Sequence, residues 1–143
     1  MTLSLPALIL LVHRAAAASQ TGPVQIEIPA TPPEEGQAIA FGVHETVDGP
    51  VFIDGCAPLE IERKTGGKWL TTAVKVCDSQ VPATQLDGDL AFSIPGPASG
   101  SGAYRVILTW GTGCAPGFPL TTAICEQMGS VTSEPFVVAP KTK

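Results

Sequence analysis

The side chains able to do chemistry are few and scattered. The chain holds four cysteines, Cys56, Cys77, Cys114 and Cys125, and two histidines, His13 and His44. No C-x-x-C occurs, so neither a redox dithiol nor a zinc site is indicated, and His44 is not spaced as a partner ligand. A Ser-His-Asp triad would have to use His44, and no G-x-S-x-G marks a nucleophile. Copper binding by His44 and Met128 would need more His or Met ligands than the chain supplies. Asp87 and Asp89 flank a glycine in "LDGD" but lack the 12-residue pattern of a calcium loop, so a turn is the better reading. Glu60 and Glu62 alternate outward, as on a solvated strand face. "GTGCAPG" has glycines but no lysine and no βαβ surroundings. The sequence therefore predicts no catalytic residue, no metal and no cofactor.

The cysteines read as structural. An even count in an exported chain implies two disulfides, for which three connectivities exist. Cys56–Cys77 and Cys114–Cys125 are preferred, because each closes a short loop around one connection of the expected sheet.

Export is read from the N-terminus. "LSLPALILLV" has the length of a signal-peptide apolar region and is shorter than the ~20 residues of a membrane span. Ala16 and Ala18 supply an A-x-A site. The expectation is a signal peptide over residues 1–18, cleaved after Ala18, and a single domain over 19–143. No Lys or Arg precedes the apolar block, which departs from the usual pattern. The expected location is secreted, periplasmic or on the cell surface, with no membrane-spanning segment in the mature chain. Net charge is −5, and −6 once Arg14 is removed. That disfavours nucleic acid, which requires a basic face.

The elements that would carry these residues are short strands. Fifteen glycines and fourteen prolines break long helices and favour turns. "VQIEI" (24–28), "AIAFGVHETV" (38–47), "VFID" (51–54), "LAFSIPG" (90–96) and "EPFVVA" (134–139) read as strands. "LEIERKTGGKWLTTAVKV" reads as a hairpin turning at Thr65-Gly66-Gly67. In it the Leu70 face is expected to be buried, with Trp69 on the other face over Arg63. "CDSQVPATQLDGD" reads as a loop. In "GAYRVILTWG" (102–111), Tyr104, Val106, Leu108 and Trp110 share one face. The only helix expected is "PLTTAICEQMG" (119–129), capped by Thr121 and ended by Gly129. The total is an all-β fold, a sandwich of two antiparallel sheets with about seven or eight strands, and a disulfide-stapled long loop before the last strand. A closed barrel is the alternative.

Three short motifs carry a resemblance. Glu62-Arg63, Gly67 and Trp69 form an "ER…G.W" hairpin. Gly102, Tyr104 and Arg105 form a "G.YR" strand start, and Ser133, Phe136 and Val138 an "S.F.V" strand. In this order they resemble the bacterial immunoglobulin-like domains of exported proteins and lipoproteins, over roughly residues 23–140. The resemblance implies an immunoglobulin-like sandwich without catalytic residues. Tyr104 also fits a tyrosine corner, and Arg63 and Arg105 are suited to hold carboxylates or stack on aromatics.

The function expected is a non-catalytic exported module with a structural or protein-binding role, its partner another exported or cell-envelope protein. The 111–130 loop supplies the candidate surface: Phe118, Leu120, Ile124 and Met128. Helical spacing of the last three suggests that they pack onto one end of the sandwich instead. The alternative is an inhibitor of a secreted peptidase presenting this loop, although the "NPTTG" type of loop of chagasin-like inhibitors is missing. Carbohydrate binding, with Trp69 as a stacking platform, ranks third.

Overall fold

The computed structural model describes residues 20–56, 58–73, 80–94 and 100–142. Among them are ten strands and no helix: β1 (Val24–Glu27), β2 (Ile39–Glu45), β3 (Val51–Ile53), β4 (Leu59–Thr65), β5 (Lys68–Ala73), β6 (Thr84–Leu86), β7 (Leu90–Ile94), β8 (Gly102–Cys114), β9 (Cys125–Thr132) and β10 (Phe136–Val138). They form two antiparallel sheets, one of three strands in the order β1-β2-β7 and one of seven.

The seven strands lie in four rows. β8 is the long central row. β3 pairs with its Trp110–Thr112 end and β4 with Tyr104–Leu108, along the same edge. β9 and β10 follow one another along the opposite edge. β5 and β6 form the outermost row against β4 and β3. Ten strands replace the expected seven or eight because three rows are interrupted. β3 and β4 follow one another along the same edge of β8. "CDSQVPATQLDGD", read as a loop, ends in β6, whose Leu86 is buried opposite Val51.

Period-2 alternation fixes which side chains enter the core. Val24 and Ile26, then Ile39, Phe41 and Val43, point inward from the small sheet. Tyr104, Val106, Leu108 and Trp110 point inward from β8, as their spacing predicts. The sheets meet at Phe136, whose ring lies edge-on to Phe41 at 5.5 Å and stacked on Tyr104 at 6.3 Å. Aromatic pairs in these geometries add to simple burial.

Two expectations fail here. The helix over 119–129 is replaced by a short turn leading into β9. The Leu70 face of β5 is not buried: Leu70 is 51% exposed. It pairs with Arg63 and so shares the inward face of the larger sheet. It belongs to the outermost of four rows, however, and the opposing sheet has only three.

No helix among the described residues is long and apolar enough to cross a membrane. The expected signal segment (1–18) lies outside the described residues, as does Cys77.

Candidate functional site

The stretch expected as a long loop is a cross-linked hairpin. β8 and β9 pair continuously from Ile107–Thr132 to Thr112–Gln127 and again at Cys114–Cys125, where a disulfide joins the strands. Gly113 between them has φ +63°, a conformation that glycine adopts without strain. Beyond the disulfide, Ala115 N–H donates to Ile124 O at 3.1 Å. Thr121 O accepts from both Ile124 N–H and Cys125 N–H, closing a single turn. Ala83 N–H donates to Phe118 O at 2.8 Å and ties the tip to the start of β6. The tip is therefore held at its base, within itself and from the side.

The four apolar residues of this region do not form one helical stripe. Leu120 folds back over Gly111. A Cβ built on Gly111 would lie 2.7 and 2.8 Å from the two disulfide sulfurs and 2.8 Å from Leu120 Cδ1, so only glycine fits beneath them. Ile124 is half-buried, and Met128 is half-buried within β9. Phe118 alone is well exposed, at 51%.

A second cluster lies on the outer face of the larger sheet. Arg105 Nη2 donates to both carboxylate oxygens of Glu62, at 3.2 and 3.1 Å. Its guanidinium also lies 4.5 Å from the Trp69 ring centroid, a cation–π contact. Lys64 Nζ is 5.9 Å from the same ring. Glu60 accepts a hydrogen bond from Thr71 Oγ1 at 2.6 Å. Two corrections follow. Arg105 is the principal cation over Trp69 and Arg63 is not, because Trp69 pairs with Lys64 in the ladder. Glu62 is not a solvated side chain: it is 8% exposed, covered by the cation it holds. With Arg105 stacked on Trp69, the ring is a poorer platform for a sugar.

Tyr104 and Arg63 form a third group. Tyr104 Oη donates to Gly100 O at 2.7 Å, a tyrosine bonded back to backbone four residues upstream. Arg63 Nη2 donates to Ser101 O at 2.8 Å, and its Cζ is 5.8 Å from the Tyr104 ring centroid. Ser133 accounts for the serine of "S.F.V". The row slips by one residue between β9 and β10, and Ser133 patches the slip. Its Oγ accepts from Val106 N–H at 2.9 Å and donates to Glu134 O, while its own N–H donates to Val106 O at 2.8 Å.

His44 stands apart from all three groups. Its Nδ1 is 3.7 Å from an Asp89 carboxylate oxygen, and Asp89 is largely exposed. Gly88, between Asp87 and Asp89, has φ +71°, as a turn requires. Among the described residues no three His, Cys, Asp or Glu side chains converge to hold a metal. Cys56 is disulfide-bonded; its expected partner Cys77 lies outside the described residues. Three polar side-chain atoms among the described residues, Trp110 Nε1, Glu45 Oε1 and Arg105 Nε, are buried without a hydrogen bond. Trp110 is wedged between Gly129 and Gly22.

No family model matches the chain, and no curated protein or solved structure matches it. Of the side chains grouped above, Tyr104, Arg63, Arg105, Trp69 and the Cys114–Cys125 pair were legible in sequence. The Arg105–Glu62 pair was not, since its partners are 43 residues apart and meet only through the β4–β8 register.

Proposed function

We propose that this chain is a non-catalytic exported module with an immunoglobulin-like fold, which binds another exported or cell-envelope protein through the tip of its β8–β9 hairpin. One observation carries the reading: a half-exposed phenylalanine, Phe118, stands on a tip held by a disulfide, a backbone turn and a lateral hydrogen bond to Ala83. Pre-ordering an exposed aromatic lowers the entropy lost on binding. Aromatic anchors of this kind dominate protein interfaces. A purely structural role would leave that exposed ring unused.

The immunoglobulin-like assignment is supported by three rows facing four, by the Tyr104–Gly100 bond and by the short motifs. Export is supported by the A-x-A site and by the disulfides, which persist in oxidising compartments. The second reading, a peptidase inhibitor, rests on the same pre-ordered tip offered to an active-site cleft.

The test places a photo-reactive phenylalanine analogue at position 118 in the exported protein. The binding reading expects one discrete cross-linked partner, lost when Cys114 and Cys125 are both replaced by alanine. No cross-link at 118, with an intact fold, removes it. Inhibition of a secreted peptidase at micromolar protein, abolished by Phe118→Ala, would select the second reading. Mass analysis of the exported protein should find Ser19 as its first residue.

A further inference from the structure

The hairpin tip does not extend from the end of the sandwich. It folds back over the outer face of the larger sheet. Tyr104, Val106, Leu108 and Trp110 point inward from β8, so the next residue, Gly111, turns its side-chain position outward. Leu120 Cδ1 and the sulfurs of Cys114 and Cys125 fill that position. Gly111 pairs with Phe52 of β3, and Phe52 with Gln85 of β6, so all three face outward in one row. Phe52 is nevertheless only 8% exposed, and unlike Val51 and Ile53 it stands outside the main core. Gly111 has no side chain with which to cover it. The tip covers it instead: it passes over Gly111 and reaches Ala83, just before β6, where Phe118 O accepts from Ala83 N–H. Residues 115–124 are therefore a strap across β3.

The two feet of the strap are unequal. At Ala83 the described residues show one backbone hydrogen bond. At the other foot stands the disulfide. Opening it leaves the β8–β9 ladder in place from Ile107–Thr132 to Thr112–Gln127, so the sheet does not depend on it. The space over Gly111 does depend on it. Two thiols stand further apart than two bonded sulfurs. Gly111 is buried in the central row between Phe52 and Met128 and cannot give way. Leu120, on the strap, can. Separating sulfurs therefore press against Leu120 and lever the strap away from Ala83. Cys125 is 8% exposed and Cys114 is half-buried, so the Cys114 sulfur is the one open to attack.

We propose that Cys114–Cys125 is a redox latch, opened by a dithiol reductant, whose reduction lifts the strap from the larger sheet and uncovers Phe52. A thiolate of the dithiol attacks Cys114 Sγ. The S–S bond breaks, and its electron pair leaves on Cys125 Sγ, which takes up a proton. The second thiol of the reductant attacks the mixed disulfide, and Cys114 leaves as a thiol. The dithiol ends as a disulfide, and the chain gains two electrons and two protons. An oxidising compartment holds the latch closed. The latch does not rest on the hairpin-tip reading, because it uses the backbone of Phe118 and not its ring. Where both hold, binding through Phe118 belongs to the oxidised form.

The test treats the full chain with dithiothreitol under native conditions, and follows thiol alkylation by mass and amide exchange residue by residue. Cys114 and Cys125 should become alkylated while the amides of β2 keep their protection. Exchange at Ala83 should be faster by about tenfold or more in the reduced protein than in the oxidised one. In Leu120→Ala the two thiols should appear as before. The wedge is gone, so the same comparison at Ala83 should differ by less than about threefold. Phe118→Ala should open like the parent, which separates the latch from any loss of binding. Thiols that appear only as β2 loses protection overturn the proposal. So does a reduced protein in which Ala83 stays protected, or a Leu120→Ala variant that opens as widely as the parent.

Discussion

Replacing Cys114 and Cys125 together by alanine should cost about 3 kcal/mol of stability. The bridge closes a segment with a sequence separation of 11. By the chain-entropy relation a loop of that size loses roughly 9 cal/mol/K in the unfolded chain, about 2.8 kcal/mol at room temperature. A second term has the same sign. The two sulfurs and Leu120 fill the space over Gly111, and alanine leaves part of it empty. Opposing both, the strands beside the bridge are already held by the ladder from Ile107–Thr132 to Thr112–Gln127 and by Ala115–Ile124. The fold should therefore survive. The assay is equilibrium urea unfolding of the double variant against the parent, with the slope unchanged and the midpoint lowered. The amides of the tip, Ala115 to Ile124, should lose exchange protection while those of β2 keep theirs. A loss below about 1 kcal/mol would refute the reasoning, since ordering the hairpin would then be the work of the ladder and the tip bonds alone.

Four further outcomes are expected. Ser133→Ala strands the buried Val106 N–H and should cost about 1–3 kcal/mol in a urea titration. Tyr104→Phe removes only the bond to Gly100 O, for about 1 kcal/mol, with the Phe136 contacts preserved. Gly129→Ala sets a Cβ 2.5 Å from Trp110 Cζ2, so thermal melting should show a loss of about 1–3 kcal/mol together with a shifted tryptophan emission. His44→Ala should change stability by less than about 0.5 kcal/mol, because its contact with Asp89 is long and solvated.

The strands that alternate cleanly were legible, and so were the residues whose role is local. β8 showed its inward face through Tyr104, Val106, Leu108 and Trp110. Tyr104 showed its corner because the acceptor lies four residues upstream. β9 was misread. Leu120, Ile124 and Met128 recur every fourth residue, which is a helical period, and Gly129 looks like a helix stop. In the fold, Gly129 is a strand residue that gives Trp110 room, and β9 is held by pairing with β8. Pairing between strands overrides local period when a partner edge and a disulfide are both in reach.

By itself the sequence pointed to an all-β fold of short strands, the inward residues of its cleanly alternating strands, a preference for Cys114–Cys125 among three connectivities and the absence of any recognisable reaction motif. These follow from alternation, turn residues and spacing along the chain. The tertiary structure alone decided that Arg105 joins Glu62 to Trp69, that Ser133 mends a slipped row, that Leu70 is exposed and that residues 125–132 form a strand paired with β8. Each depends on which rows lie side by side and on how many rows face each other. Register and row count are set by the summed packing of residues far apart in the chain, and no local pattern encodes that sum.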